Sequence, residues 1–144
     1  QNYTNSHQKS GIMKNIFSKI FKSSNVSIPD AVNESFLEKF GSSINVEWLY
    51  ADDFYEAIFY MNDIEHNAYF DSMGKLLTLK KNLSIHQAPE HIKEKAALHG
   101  ELMNVIEISE SEIVGYELII RDEALIRFSL LLNEKGGLIQ KTKL

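Results

Sequence analysis

Hydrophobic positions recur along the chain with two different periods, which predict two kinds of element. Val32, Phe36 and Phe40 follow one another at intervals of four, the pattern of a helix with one apolar face. In Tyr55–Met61 and Ile126–Leu132 every second residue belongs to one apolar side, the pattern of strands with one buried face. The chain is therefore predicted to combine helices with antiparallel strands.

A set of local signals occurs twice in the same order, which predicts an internal duplication. Each copy opens with a proline and an acid, a combination that suits the first turn of a helix and its dipole. A helix-compatible stretch, a glycine, a tyrosine-containing strand and a hairpin turn follow. The corresponding landmarks lie about 60 positions apart and are Pro29 and Pro89, Gly41 and Gly100, Tyr55 and Tyr116, and the turns 70–76 and 132–138.

These signals predict an α+β fold class. It consists of two tandem helix-plus-antiparallel-strand repeats that form one sheet with the helices on one face. A single hairpin unit of three strands is marginally stable, so the copies are expected to join. We expect residues 1–25 to be an N-terminal segment, 26–85 the first repeat and 86–144 the second repeat, with both repeats in a single domain.

The N-terminal segment 1–25 is basic and contains no Asp or Glu. Its lysines are Lys9, Lys14, Lys19 and Lys22. Apolar residues at helical spacing predict a short amphipathic helix, and they are Ile12, Ile16, Phe17, Ile20 and Phe21. Two interpretations stay open: contact with an anionic membrane surface, or docking on its own domain or on a second copy. Three turns are short for stable membrane binding, which favours docking.

Charge and composition exclude several classes of function. The net charge of -5 argues against a nucleic-acid partner, because phosphate binding requires a basic field. The absence of cysteine excludes disulfides, thiolate metal sites and cysteine nucleophiles. No apolar run approaches the roughly 20 residues of a membrane-spanning helix. A chain that begins at Gln1 fits a mature form whose signal peptide has been removed, or a trimmed piece.

No motif marks a catalytic or metal site. His86, His91 and His99 surround the second predicted helix, and His91 and Glu94 share a helical face, but a zinc site needs three or four protein ligands. The acidic groups Asp52–Asp53 and Glu110–Glu112 are placed in turns, where such residues are common. Neither a nucleophile elbow nor a His-Glu-x-x-His motif occurs. We therefore expect no enzymatic activity, no cofactor and no metal.

The landmarks resemble the PepSY-like family of Bacteroidetes-type bacteria, also described as β-lactamase-inhibitor-like proteins. The residues that carry the resemblance are Pro29, Gly41, Val46-Glu47-Trp48, Tyr55-Glu56-Ala57-Ile58-Phe59 and Asp71-Ser72-Met73-Gly74. The second half is similar through Pro89, Gly100, Tyr116 and the turn 133–137, but Ile108 stands near the tryptophan position and His99 where an aromatic is usual. The resemblance covers residues 26–144. It implies a β-lactamase-inhibitor-protein-like fold, a periplasmic or secreted location behind a removed signal peptide, and no known catalytic residue.

One side of the tyrosine strand is the candidate binding surface. If Tyr55 faces the helices, then Phe54, Ile58 and Tyr60 project from the other side, and Tyr69 on the next strand joins them. Aromatic groups on an uncovered sheet face are suitable anchors for a protein partner. We expect a non-enzymatic module that binds an unknown protein, an enzyme being one candidate. The alternatives are a carrier of a small apolar ligand between the sheet and the N-terminal helix, a hydrolase with an unrecognised site, a homodimer sharing this face, and coverage of the face by that helix.

Overall fold

The computed structural model describes residues 26–51 and 53–144. The predicted N-terminal segment 1–25, with its amphipathic helix, and Asp52 lie outside these described residues. Helix α1 is Asp30–Phe40, helix α2 is Glu90–Ala97, and a short 3-10 turn, Ile85–Gln87, precedes α2. The strands are β1 Ile44–Ala51, β2 Phe54–Met61, β3 Ile64–Asp71, β4 Leu76–Leu83, β5 Glu101–Glu110, β6 Ile113–Arg121, β7 Arg127–Asn133 and β8 Leu138–Lys143.

All eight strands form one antiparallel sheet in which each strand pairs with its neighbours in sequence, from β1 to β8. The pairing continues through the middle of the chain, where Leu79–Leu83 of β4 lies opposite Val105–Ser109 of β5. The register shifts within the β1–β2, β3–β4, β5–β6 and β7–β8 pairs. Such irregularities bend a strand and increase its local twist.

The predicted fold class, two tandem helix-plus-antiparallel-strand repeats, is wrong. Strands make up 54% of the described residues and helices 19%, so this part of the chain is an eight-stranded antiparallel sheet with two short helices. The signals behind the prediction report where helices begin and hairpins turn, which are local properties. They do not determine how much of the chain forms strands or in which order the strands pair, and the eight described strands pair in sequence order, β4 with β5 included. The division at residues 85 and 86 stays a prediction.

Helix α1 packs on the first half of the sheet through its apolar face. It begins directly after Pro29 and ends before Gly41. Val32, Phe36 and Phe40 are its buried residues. They contact the small and aromatic residues of β2 and β3, which are Ala57, Phe59, Ala68 and Phe70. Helix α2 packs on the same side of the sheet. The residues that it contacts on β6 are placed there by strand pairing, on the side that α1 covers.

Phe36 is the centre of an aromatic group that includes the only tryptophan. Its ring centroid lies 5.2 Å from that of Trp48 and 5.2 Å from that of Phe59, both with edge-to-face geometry. Such pairs contribute about 0.5–1.5 kcal/mol each beyond the area they bury. Together with the apolar area, they fix α1 on β1 and β2.

We expect Phe36→Leu to lower the free energy of unfolding by about 1–2 kcal/mol, because it keeps most of the apolar volume but loses both ring contacts. Urea unfolding followed by the fluorescence of Trp48 measures this change. Leu37→Ala, at the next and solvent-exposed position, is the matched control and is expected to change stability by less than about 0.5 kcal/mol. Equal losses in the two variants would show that the aromatic group does not anchor the helix.

Two hairpin turns are built alike. In the β3–β4 turn, the backbone N–H groups of Met73 and Lys75 donate to Asp71 Oδ1. In the β7–β8 turn, the N–H groups of Lys135 and Gly137 donate to Asn133 Oδ1. Both turns lie where the sequence predicts them.

None of the described helices has the length and apolar composition required to cross a bilayer.

Candidate binding face

The side of the sheet opposite α1 and α2 is the helix-free face. Cross-strand pairing places Glu56, Tyr69 and Thr78 side by side on β2, β3 and β4. Lys80 pairs with Ile108 on β5, and Ile108 pairs with a glycine on β6. Residues that lie directly opposite one another on paired strands point to the same side of the sheet. The alternate residues, such as Phe59, point to the helices.

The four predicted binding residues differ in exposure. Register places Phe54, Ile58 and Tyr60 on the helix-free face together with Tyr69. Tyr60 is 39% exposed, and Phe54 and Ile58 are half-buried. Tyr69 is only 3% exposed. Tyr69 is therefore buried within this face, whereas Phe54, Ile58 and Tyr60 are at least partly exposed to solvent.

Tyr60 is held in position by a hydrogen bond across the β2–β3 pair. Its hydroxyl donates to Glu65 Oε2 at 2.9 Å. The hydrogen bond and the negative charge of Glu65 raise the pKa of Tyr60 above its usual value. The phenol is thus a neutral hydrogen-bond donor at physiological pH, with an apolar ring beside it.

A buried polar cluster occupies the centre of the helix-free face. It consists of Glu56, Asn67, Tyr69, Lys80 and Glu117. Asn67 Nδ2 donates to Glu56 Oε1 at 2.7 Å, and Lys80 Nζ lies 5.0 Å from the centre of the Tyr69 ring. Both Glu56 and Lys80 are at least 95% buried, which is rare for charged side chains.

Burial shifts the acid–base properties of this cluster. Loss of solvation lowers the pKa of Lys80 to about 7, although the carboxylates of Glu117, Glu56 and Glu110 oppose the shift. Burial raises the pKa of Glu117, against the opposing effects of Lys80 and of the Ser129 hydroxyl. Burial, with the nearby Glu56, raises the pKa of Tyr69. The cluster therefore places one lysine among carboxyl groups in a poorly solvated site.

A shallow cavity of about 220 Å³ lies beside this cluster. Its lining residues are Glu65, Asn67, Tyr69, Lys80, Asn82 and Ile106. Ligand pockets for small molecules are usually about 300–1,000 Å³ and mostly apolar. The cavity is smaller than that, and its lining is as polar as it is apolar, so it suits a single side chain better than a small-molecule ligand.

The sequence does not mark Glu56, Lys80 and Glu117 as a group. A signal was available, because each glutamate directly follows the tyrosine of an otherwise apolar strand, where acids are depleted. Alternation alone places each glutamate on the other side of its strand from the tyrosine that precedes it. It does not say which other strand brings a lysine beside them.

Of the histidines and acidic groups singled out in the sequence, His86, His91 and Glu110 each have their own interactions. His91 Nε2–H donates to the backbone carbonyl oxygen of Glu134 at 2.8 Å, and His86 Nε2 lies 3.4 Å from Ser84 Oγ. Glu110 is the last residue of β5, and its negative charge acts to raise the pKa of Lys80. Within residues 26–51 and 53–144, no three His, Asp or Glu side chains are grouped so that they could hold a metal ion.

Comparison with known proteins gives the fold. No protein-family model and no curated protein matches this sequence. A BLIP-like protein from Bacteroides fragilis is similar in structure, with a TM-score of 0.72 and 14% identity over 83% of this chain and 89% of that one. The chain has a BLIP-like fold. A DUF2874 family protein from Bacteroides ovatus has a TM-score of 0.74 and 17% identity, over 83% of this chain and 89% of that one.

A predicted periplasmic protein from Bacteroides eggerthii also shares the BLIP-like fold, with a TM-score of 0.70 and 17% identity over 82% of this chain and 90% of that one. The predicted resemblance to β-lactamase-inhibitor-like proteins is thus confirmed at the level of the fold, and its PepSY-like part stays a prediction. Identities this low carry the fold and not the function, since one fold hosts many functions.

Proposed function

We propose that this chain is a non-enzymatic, extracytoplasmic protein-binding module whose helix-free face is the binding surface. The observation that carries the proposal is the arrangement of Phe54, Ile58 and Tyr60. They form an accessible apolar strip on β2, beside a buried polar cluster. Structural similarity to a BLIP-like protein and to a predicted periplasmic protein supports the class of function and the location.

The strip has the properties of an interface anchor. Aromatic side chains bury large areas and have few rotatable bonds, so they lose little entropy on binding. Tyr60 is already held by its bond to Glu65, and a side chain that is ordered before binding costs less to immobilise. The cavity beside Tyr69 offers a small recess, lined equally by polar and apolar surface, for one side chain of the partner. An enzyme of the cell envelope is the partner class we favour.

Capture of envelope proteins tests the proposal. The full chain is immobilised, exposed to the envelope fraction of the source cells, and the retained proteins are identified by mass spectrometry. We expect Tyr60→Ala to lower the recovery of the specific partner about tenfold or more, because interface tyrosines commonly contribute at least 1–2 kcal/mol.

Tyr50→Ala is the matched control. Tyr50 is 42% exposed, close to the value for Tyr60, but its register partner is Tyr55, on the side of the helices. We expect it to retain the partner at the parent level. A partner that both variants retain equally, or that both lose equally, would contradict binding through the helix-free face.

A further inference from the structure

The acidic residues of the first three strands all lie on the helix-free face. Strands β1, β2 and β3 contain no lysine or arginine, and their acidic residues are Glu47, Glu56, Glu65 and Asp71. Strand pairing places all of them on the side that carries Tyr60, because Glu56 alternates with it on β2 and the others lie opposite residues of that alternation. The helix-free side of these three strands therefore carries negative charge and no positive charge.

Two accessible residues of the apolar strip each have one of these acids directly beside them. Ile58 lies opposite Glu47 on β1, and Tyr60 lies opposite Glu65 on β3. Glu47 is exposed and Glu65 is half-buried. Side chains in such cross-strand positions have Cβ atoms about 5 Å apart. A partner that contacts the strip therefore meets apolar surface and a carboxylate side by side.

We propose that the partner of the helix-free face is a basic protein surface, whose arginine side chains lie on the apolar strip and pair with Glu47 and Glu65. This inference rests on the proposed function and deepens it, because it names the chemistry of the partner.

The side chain of arginine matches this pattern better than that of any other residue. Its apolar stem can cover Ile58 or the ring of Tyr60 while its charged group reaches the neighbouring carboxylate. The planar guanidinium can stack on the Tyr60 ring and donate two parallel hydrogen bonds to a carboxylate, whereas the ammonium of lysine is a point charge. Glu65 already accepts a hydrogen bond from Tyr60, and a carboxylate has about four acceptor sites, so it can accept a guanidinium as well.

Charge also decides between this partner and a second copy of the chain. Two copies joined through the helix-free sides of β1, β2 and β3 would bring the carboxyl groups of one close to those of the other, and like charges across an interface are unfavourable. A basic surface is attracted instead, both by these carboxylates and by the net charge of -5 on the whole chain.

Binding of defined peptides to the full chain tests the proposal. Three peptides of about 12 residues with blocked ends alternate serine with arginine, with lysine or with glutamate, and fluorescence anisotropy at low salt measures their affinities. We expect the arginine peptide to bind about threefold or more tightly than the lysine peptide, because only arginine stacks and forms paired hydrogen bonds. We expect the glutamate peptide not to bind.

Charge-neutral variants locate the binding site. Glu47→Gln combined with Glu65→Gln is expected to weaken binding of the arginine peptide about fivefold, since two ion pairs are lost. Glutamine at position 65 still offers an oxygen to the Tyr60 hydroxyl. Glu34→Gln combined with Glu38→Gln is the matched control, because it removes two exposed carboxylates from α1, on the other side of the sheet. It changes the net charge equally, and we expect it to change the affinity by less than about twofold.

Three results would overturn the proposal. Equal affinities of the two double variants for the arginine peptide would show that the helix-free face does not bind it. A glutamate peptide that binds as tightly as the arginine peptide would exclude a basic partner, and equal affinities for lysine and arginine would exclude the assignment to arginine. The peptides involve no envelope protein, so this proposal can fail while partner capture through Tyr60 succeeds, and capture can fail while the peptide result stands.

Discussion

Gly74→Ala is expected to lower the free energy of unfolding by about 3 kcal/mol, because two costs add. Gly74 has a φ of +85°, a conformation that costs a residue with a side chain about 1 kcal/mol. A Cβ atom at this position would also lie 2.4 Å from the backbone carbonyl oxygen of Ala31. That oxygen belongs to the first turn of α1, so it cannot move away without moving the helix.

Gly136→Ala is the matched control, because Gly136 occupies the same place in the β7–β8 turn with a φ of +90°. Its added Cβ would meet Lys95 Cγ, an atom of a flexible side chain that can move aside. We expect a loss of about 1 kcal/mol, the conformational cost alone. Urea unfolding monitored by Trp48 fluorescence compares the two. Equal losses would show that the contact between the β3–β4 turn and α1 does not determine stability.

Between pH 7 and 9.5 the free energy of unfolding is expected to rise by roughly 3 kcal/mol owing to Lys80. The pKa of Lys80 is lowered to about 7 in the folded chain, against 10.5 for an ordinary lysine. In this interval the unfolded chain therefore holds a proton that the folded chain has released, and stability increases with pH. Below pH 7 both states are protonated and the contribution is constant.

The comparison of Lys80→Met with the parent isolates this effect. Other groups titrate as well, including Tyr69, whose raised pKa lowers stability only above about pH 10. Lys80→Met is expected to have a nearly flat profile from pH 7 to 9.5, whereas Lys81→Met, which changes the next residue on the opposite side of β4, retains the slope of the parent. Parallel profiles for the parent and Lys80→Met would show that burial does not shift the lysine.

Several elements could be predicted from the sequence because their signals are local. The spacing of Val32, Phe36 and Phe40 defines the buried face of α1, and the structure confirms it. Alternation in Tyr55–Met61 corresponds to β2. The turn that begins at Asp71 forms where predicted, because an aspartate followed by a glycine suits such a turn at any place in a protein.

The candidate site could be predicted only in part. Alternation placed Phe54, Ile58 and Tyr60 on one side of β2 together, since the period of a strand is two residues. It did not distinguish the exposed Tyr60 from the buried Tyr69, because burial depends on what lies above each residue. The use of this face for binding stays a prediction.

The sequence by itself determined where α1 and the hairpin turns form and which side of β2 is apolar, because those properties depend on residues a few positions apart. Only the tertiary structure decided that β4 pairs with β5 and that the eight described strands pair in sequence order. It also decided that Glu56, Lys80 and Glu117 meet on one face. Their meeting depends on the register of β2 to β6, and hydrogen bonds between distant strands set that register.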